Sequence, residues 1–489
     1  MTTTTAAVAQ VVECLGRAVP HDRIVVDSDV LDSLSRDQAA WAPVGKAVAA
    51  VRVRNTAEVA AVVKTCAELG VAVVARGAGT GLSGGANAVD GCVVIDLSRM
   101  NAIVEIDRDN LIAVVEPGVI NDDLKAAVKE VGLWYPPDPA SAPWSTIGGN
   151  IATNAGGLCC LKYGVTRDYA IGLEAVVGGS AGYGTVARLG RRTTKGVAGY
   201  DLVGLMCGSE GTLGIVTQAT VRLRPQVTGV PRTIVGSFDQ LVQAGEAVAL
   251  ITRRGIVPVA LELLDRYCLE VVEEWKHLGL SVDAEALLLA RVDTPGESGA
   301  AEAQAIADAF TECGAVWAEQ STDDTEAEAL FAARRLAYPA LERLGPVLTE
   351  DVCVPRSEVP GMLVAIEEVG QRYGVKIASI AHAGDGNLHP LIVGEAGDGR
   401  VNGEAGGLNV NGEAGGLNAP PAAAAAFEEI LDAAIARRGT VTGEHGVGIL
   451  KAGGMQREVD PATQTLMRDV KRSLDPRHLF NPGKVLTDR

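Results

Sequence analysis

No apolar run in the sequence approaches the ~18 residues that a membrane-spanning helix needs. Its first residues, Met1-Thr-Thr-Thr-Thr-Ala-Ala-Val8, have neither the basic stretch nor the apolar stretch of an export signal. A soluble, cytoplasmic chain is expected, any membrane association coming through a partner. Positive charge is in short supply: 43 Lys and Arg against 61 Asp and Glu leave a net charge of −18. That balance repels phosphate backbones and anionic lipid, so no nucleic acid is expected as a partner. An acidic substrate would need a local cationic site. Cysteine offers no framework, because the nine are an odd number without a Cys-x-x-Cys. They fit a reducing compartment, and no iron–sulfur spacing occurs among them. Electrons leaving through a cluster would have to use another subunit.

Histidine is scarce too, yet three of the six lie in two short pieces, His382-Ala-Gly-Asp-Gly-Asn-Leu-His389 and Gly443-Glu-His-Gly446. His382 and His389 are seven positions apart, an odd step that would put them on opposite faces of one continuous strand. The glycines, Asp385 and Asn387 between them are turn chemistry. A strand Lys376–Ala381 running into His382, a reversal, and a return strand from His389 through Val393 can bring both imidazoles to one point. Two imidazoles and the Glu444 carboxylate then make a three-ligand site with open positions, suited to zinc or a similar divalent ion. His445 is left as a free base beside it. The plain alternative is a glycine-rich hairpin whose histidines bond only to backbone.

A chain of 489 residues exceeds one ordinary core, so two domains are expected. Residues 1–41 read as a helical lead-in packed on the surface. Thr56 to Leu69 reads as a helix capped by Thr56. The strand Val71–Ala75 after it empties into Arg76-Gly-Ala-Gly-Thr-Gly-Leu-Ser-Gly-Gly-Ala86, with five glycines in eleven residues. Such a loop lets backbone approach a ligand closely and aim amides at a phosphate or pyrophosphate. It is neither a P-loop nor a Rossmann fingerprint, since no Gly-Lys-Ser/Thr closes it and no helix pattern follows. Two further loops rich in glycine and small polar residues run from Ser145 to Gly157 and from Gly208 to Thr217. Pro225 to Pro231 reads as a boundary. Beyond it, strands at 232–237, 259–263 and 285–291 suggest an antiparallel sheet with covering helices. The nonapeptide Val-Asn-Gly-Glu-Ala-Gly-Gly-Leu-Asn occurs at 401–409 and again at 410–418, too short for a solenoid and read as a flexible surface loop.

The three ordered loops resemble the FAD-binding domain of the vanillyl-alcohol oxidase/para-cresol methylhydroxylase (PCMH-type) flavoproteins. The resemblance implies an α+β fold with a two-subdomain FAD-binding domain at 42–225. An α+β cap domain would follow at 226–489, its C-terminal tail returning to the FAD domain. It implies that Arg76, Gly77, Ala78, Gly79, Thr80, Gly81, Leu82 and Ser83 hold the pyrophosphate. Ser145, Thr146, Gly148, Gly149 and Asn154 would line flavin and phosphates, and Glu210, Gly211, Thr212 and Ile215 would reach the adenosine half. The FAD is expected to be non-covalent. No histidine exists between His21 and His277 to tether it there, and a link through Cys159 or Cys160 is the lesser option.

The histidine pieces extend the resemblance to the D-2-hydroxy-acid dehydrogenase branch, which includes D-lactate dehydrogenases, the glycolate oxidase flavin subunit and D-2-hydroxyglutarate dehydrogenase. It implies His382, His389 and Glu444 as ligands of a divalent metal, zinc or manganese, His445 as catalytic base, and Arg334 as the cation for the substrate carboxylate, with Arg335 as fallback. Removing the hydroxyl proton and passing the Cα hydride to flavin suits that equipment. Where the hydroxyglutarate enzymes carry second-carboxylate anchors, this sequence has Tyr338, Thr349 and Leu391. Glycolate or D-lactate is therefore favoured, with D-2-hydroxyglutarate, or another alcohol or sugar handled by an FAD oxidase, as the alternative. The electron acceptor would be a quinone, cytochrome, electron-transfer flavoprotein or iron–sulfur subunit, and the oligomeric state is left open by the sequence, a homodimer being one option.

Overall fold

The computed structural model describes residues 5–228, 231–280, 282–321, 324–394 and 419–486. The nonapeptide repeat at 401–418 lies outside them.

The first half builds two sheets. Strands Ile24–Val25, Ala49–Arg52, Val93–Asp96 and Val73–Arg76 lie side by side in that order, the last three parallel. Val93–Asp96 is wholly buried, as a parallel strand covered on both faces must be. The helix Thr56–Leu69 covers this sheet with Val59, Val62, Val63 and Cys66, spaced at three and four residues. Its cap is one residue earlier than the sequence suggests: the Asn55 side chain accepts from the Glu58 N–H, and Thr56 Oγ1 donates to Glu174. The second sheet is antiparallel, ordered Ile103–Asp107, Ile112–Val115, Ile215–Arg222, Ala170–Val177 and Thr185–Gly190.

The second half is organised on one antiparallel sheet. Its order is Trp317–Ser321, Arg232–Phe238, Ala286–Val292, Ala260–Asp265, Lys376–His382, Asn387–Val393 and Val347–Thr349. Helices Leu241–Arg253, Gly296–Glu312, Val359–Tyr373 and Pro421–Ala436 pack one face, while Arg266–Lys276 and the end of Asp324–Glu342 pack the other. Burial on both faces explains why its central strands read as continuous apolar runs without alternation.

The lead-in does more than the surface-packed reading allowed. Ile24–Val25 joins the first sheet, Trp41 is buried in the core of the second half, and Asp37 reaches the interdomain cleft. The chain's end crosses back. Asn481 N–H and Leu479 C=O bracket Val73, and Phe480 is fully buried against the first sheet. Phe480→Ala should lower the free energy of unfolding by about 3–5 kcal/mol, read from urea denaturation. A change below ~1 kcal/mol would mean the tail rests on the domain without holding it.

Candidate active site

The hairpin forms as its spacing requires. His382 pairs with Asn387 and Ile380 with His389, so His382 and His389 are diagonal neighbours on one face of the sheet. The reversal at Ala383–Gly386 uses the left-handed conformation at Gly386, φ +87°. The two rings stand 5.2 Å apart and perpendicular, each side chain almost fully buried. Behind them stand two carboxylates that the sequence reading missed. Glu262, one position beyond the Leu263–Ala381 pair on the adjacent strand, holds both oxygens 2.9 Å from His382 Nδ1. Asp351 Oδ1 is 3.5 Å from His389 Nδ1. Glu262 thus engages Nδ1 of His382 while Asp351 only stands behind His389, and each ring presents Nε2 forward.

Both Nε2 atoms meet Glu444. Its Oε1 lies 3.3 Å from His382, 3.4 Å from His389 and 3.7 Å from His445. The Thr442–Gly448 segment that carries Glu444 and His445 has no regular structure, so it must be held from outside. Asp351 Oδ2 accepts from Thr442 Oγ1 and from the Glu444 and His445 amides at 2.7, 3.0 and 2.8 Å. From the other domain, Glu210 accepts the Val447 and Gly448 amides at 2.7 and 2.8 Å, and Ser83 Oγ donates to the His445 carbonyl. Lys451 Nζ, fully buried, sits 3.7 Å from both Glu350 and Asp351.

These contacts set the charges. Burial alone would favour neutral His382, but the carboxylates of Glu262 and Glu444 raise it well above its ordinary value. Burial favours the acid form of Glu444, yet His382 and His389 hold it well below the usual carboxylate range. His445 is desolvated with only partial compensation from Asp351, and is pushed down to about 4. A neutral imidazole therefore stands next to a charged carboxylate.

One cleft runs from the glycine loops to this cluster. It is lined by Arg76 through Ser83, by Thr146, Gly148 and Gly149, by Glu210, Gly211 and Ile215, and on the far side by Arg334, His382, His389, Glu444 and His445. Side chains at these glycines would displace their neighbours: a Cβ on Gly77 would fall 2.4 Å from Thr146 Oγ1, and one on Gly79, which also holds φ +76°, 2.1 Å from the Arg76 guanidinium. Three of the expected flavin residues lie off the cleft. The Ser145 hydroxyl accepts from Asn150, Asn154 caps the helix Ile147–Thr153 and accepts from the Arg167 amide, and Thr212 donates to the Ser209 carbonyl. Cys159 and Cys160 also lie off it, and burial pushes the Cys159 thiol up to about 12. Asp37, Gln38 and Trp144, not singled out in the sequence, do line it.

Residues 47–183 match the description "FAD binding domain", and residues 230–485 match "FAD linked oxidases, C-terminal domain". The chain belongs to the FAD-linked oxidase family. It is an FAD-linked oxidoreductase. The chain is 41% identical over 438 residues to the glycolate oxidase subunit GlcD of Bacillus subtilis, covering 89% of this chain and 88% of the relative. It is 33% identical to a D-lactate dehydrogenase of Archaeoglobus fulgidus, covering 89% and 90%. The fold superposes on p-cresol methylhydroxylase with a TM-score of 0.79 at 18% identity, over 100% of this chain and 98% of that one. No helix among the described residues is long and apolar enough to cross a membrane. The oxidase C-terminal domain carries Arg334 and the whole histidine cluster, whereas the Gly208–Thr217 loop falls between the two matched regions.

Because the folded value of His445 is depressed, the unfolded chain takes up that proton first. The site's contribution to stability is lost as pH falls from about 6.5 toward 4. In protein labelled with 15N-histidine, His445 should remain neutral at about pH 5.5, a unit below the ordinary histidine value. A cationic His445 at that pH would contradict the burial argument.

Proposed function

We propose that this FAD-linked oxidase converts a small D-2-hydroxy monocarboxylate, glycolate or D-lactate, into its 2-oxo acid. The observation that supports this most is the convergence of three imidazoles on one oxygen of Glu444, in the same cleft as Arg334 and the glycine loops. Donors around a tetrahedral ion at 2.0–2.1 Å lie roughly 3.3 Å from one another. The distances from Glu444 Oε1 to His382 and His389, 3.3 and 3.4 Å, fit that spacing. A carboxylate behind each ring fits the outer shell that orients metal-binding histidines. His382, His389 and Glu444 would hold a divalent ion, zinc or manganese. Such an ion would supply Lewis acidity toward a hydroxyl oxygen, and bound flavin would supply the hydride acceptor.

The chain's own residues would do the rest. His445, neutral through burial, accepts the hydroxyl proton. Arg334, itself almost fully buried, binds the substrate carboxylate, a pairing suited to a guanidinium. Tyr338, Thr349 and Leu391 line the cleft on the same side. Thr349 faces Leu391 across the sheet, so an apolar and hydroxyl-bearing wall stands where a dicarboxylate's second acid would need an anchor. The names of the relatives, glycolate oxidase subunit and D-lactate dehydrogenase, agree with this substrate class. One relative is named a subunit, which supports delivery of electrons to a partner: a quinone, a cytochrome, an electron-transfer flavoprotein or an iron–sulfur subunit.

Anaerobic addition of D-lactate or glycolate should bleach the flavin, chelation should abolish the bleaching, and zinc or manganese should restore it. D-2-hydroxyglutarate should bleach it poorly. Bleaching that survives complete metal removal would sink the metal-assisted route. His445→Asn should slow flavin reduction by about 10²–10⁴-fold with FAD content unchanged, and reduction at the wild-type rate would remove His445 as the base.

A further inference from the structure

The carboxylate of Glu262 is fully buried in the middle of the sheet, on a strand whose neighbouring residues are Leu261, Leu263 and Leu264. A charge placed there persists only when its partners satisfy it, and its partners are two residues of the active site. Oε2 accepts from Arg334 Nε at 2.9 Å, and both oxygens lie 2.9 Å from His382 Nδ1. We infer that Glu262 is the positioning residue of this site, setting in one stroke the tautomer of the metal-binding His382 and the orientation of Arg334. The inference rests on the metal reading above.

An ionised carboxylate can only accept hydrogen bonds, so Nδ1 of His382 must carry the hydrogen. In the neutral form that ligates a metal, the lone pair is then on Nε2, the atom 3.3 Å from Glu444 Oε1. His389 is held less firmly, since its Nδ1 lies 3.5 Å from Asp351 without a hydrogen bond. Glu262 also engages Arg334 through Nε, along one edge of the planar guanidinium, and so fixes that plane in the cleft wall. A 2-hydroxy acid presents its hydroxyl and carboxylate on adjacent carbons. Both groups that would grip them are thus referred to a single side chain, which fixes the distance between the two grips.

Glu262→Gln is nearly isosteric but leaves one acceptor for two donors. Its amide N–H₂, turned toward His382, favours the opposite tautomer with hydrogen on Nε2. Zinc affinity measured by competition with a fluorescent chelator should fall about 10–100-fold, with FAD content unchanged and KM for D-lactate raised. Glu262→Asp, which keeps an acceptor-only group, should recover part of the zinc affinity. Wild-type affinity in Glu262→Gln, while the wild type itself binds zinc, would overturn the inference and leave the metal site standing. A wild type that retains FAD but binds no zinc would overturn the metal reading, and the inference with it. If Glu262→Gln loses flavin and zinc together, 15N-histidine spectra of the zinc-loaded wild type decide. Hydrogen on Nδ1 of His382 supports the assignment, and a bare Nδ1 overturns it.

Discussion

The candidate active site depends on the requirement that every charge buried in the sheet of the second half be matched. An unpaired ion in such a place costs several kcal/mol, and this region holds Glu262, Glu350, Asp351, Arg334 and Lys451, all nearly or fully buried. The matching is interlocked. Glu262 faces Arg334 and His382; Asp351 faces Lys451, His389 and three donors of the 442–445 segment; Glu444 faces His382 and His389. Removing one partner leaves its neighbour as an uncompensated buried charge. Sheet strands supply His382, His389 and Glu262, and Asp351 is held between the strands Val347–Thr349 and Val352–Cys353, so the sheet carries the groups that cannot move.

The remaining two functional groups sit on a segment without regular structure, and its position is fixed from both domains. Asp351 grips it from the second half of the chain while Glu210 and Ser83 grip it from the first. Glu210 adopts a left-handed conformation, φ +51°, and both its oxygens receive backbone amides of Val447 and Gly448. Its carboxylate is therefore engaged with the loop that carries His445, although its residue also lines the cleft. The glycine loops of the cleft and the loop that presents His445 are one mechanical unit.

This division explains what was legible in the sequence. The His382–His389 spacing forces a hairpin, and the glycine density of residues 76–86 requires backbone close to a ligand; both are local signals. The strands at 232, 260 and 286 were readable because burial on both faces leaves continuous apolar runs. Asp351 and Glu262 were not found, since their partners lie 94 and 120 residues away. A signal did exist for each: Glu262 interrupts Val-Ala-Leu-Glu-Leu-Leu, and Glu350-Asp351 interrupts Val-Leu-Thr-Glu-Asp-Val. Carboxylates inside apolar strands cost too much to be incidental. The lead-in misled because Ile24, Asp37 and Trp41 each join a different body, the first sheet, the cleft and the second core, and so leave no common period.

The geometry also bears on which groups would ligate an ion. Ligand atoms of Asp351, His389, Glu444 and His445 all lie within 4.8 Å of one another, a grouping that replaces His382 with Asp351 and His445. Asp351 is poorly placed for that role. Its Oδ2 already receives three donors, two of them the amides of Glu444 and His445, and its Oδ1 stands behind His389 on the Nδ1 side. Its Oδ2 could turn toward an ion only by releasing the segment that carries Glu444. Nor can His445 serve as ligand and proton acceptor through the same Nε2. His382 carries neither conflict: its Nδ1 is engaged by Glu262, and its Nε2 points at the oxygen where His389 also converges. On the proposed reading, the set His382, His389 and Glu444 would leave Asp351 as the support and His445 as the base, so that each buried group would have one role.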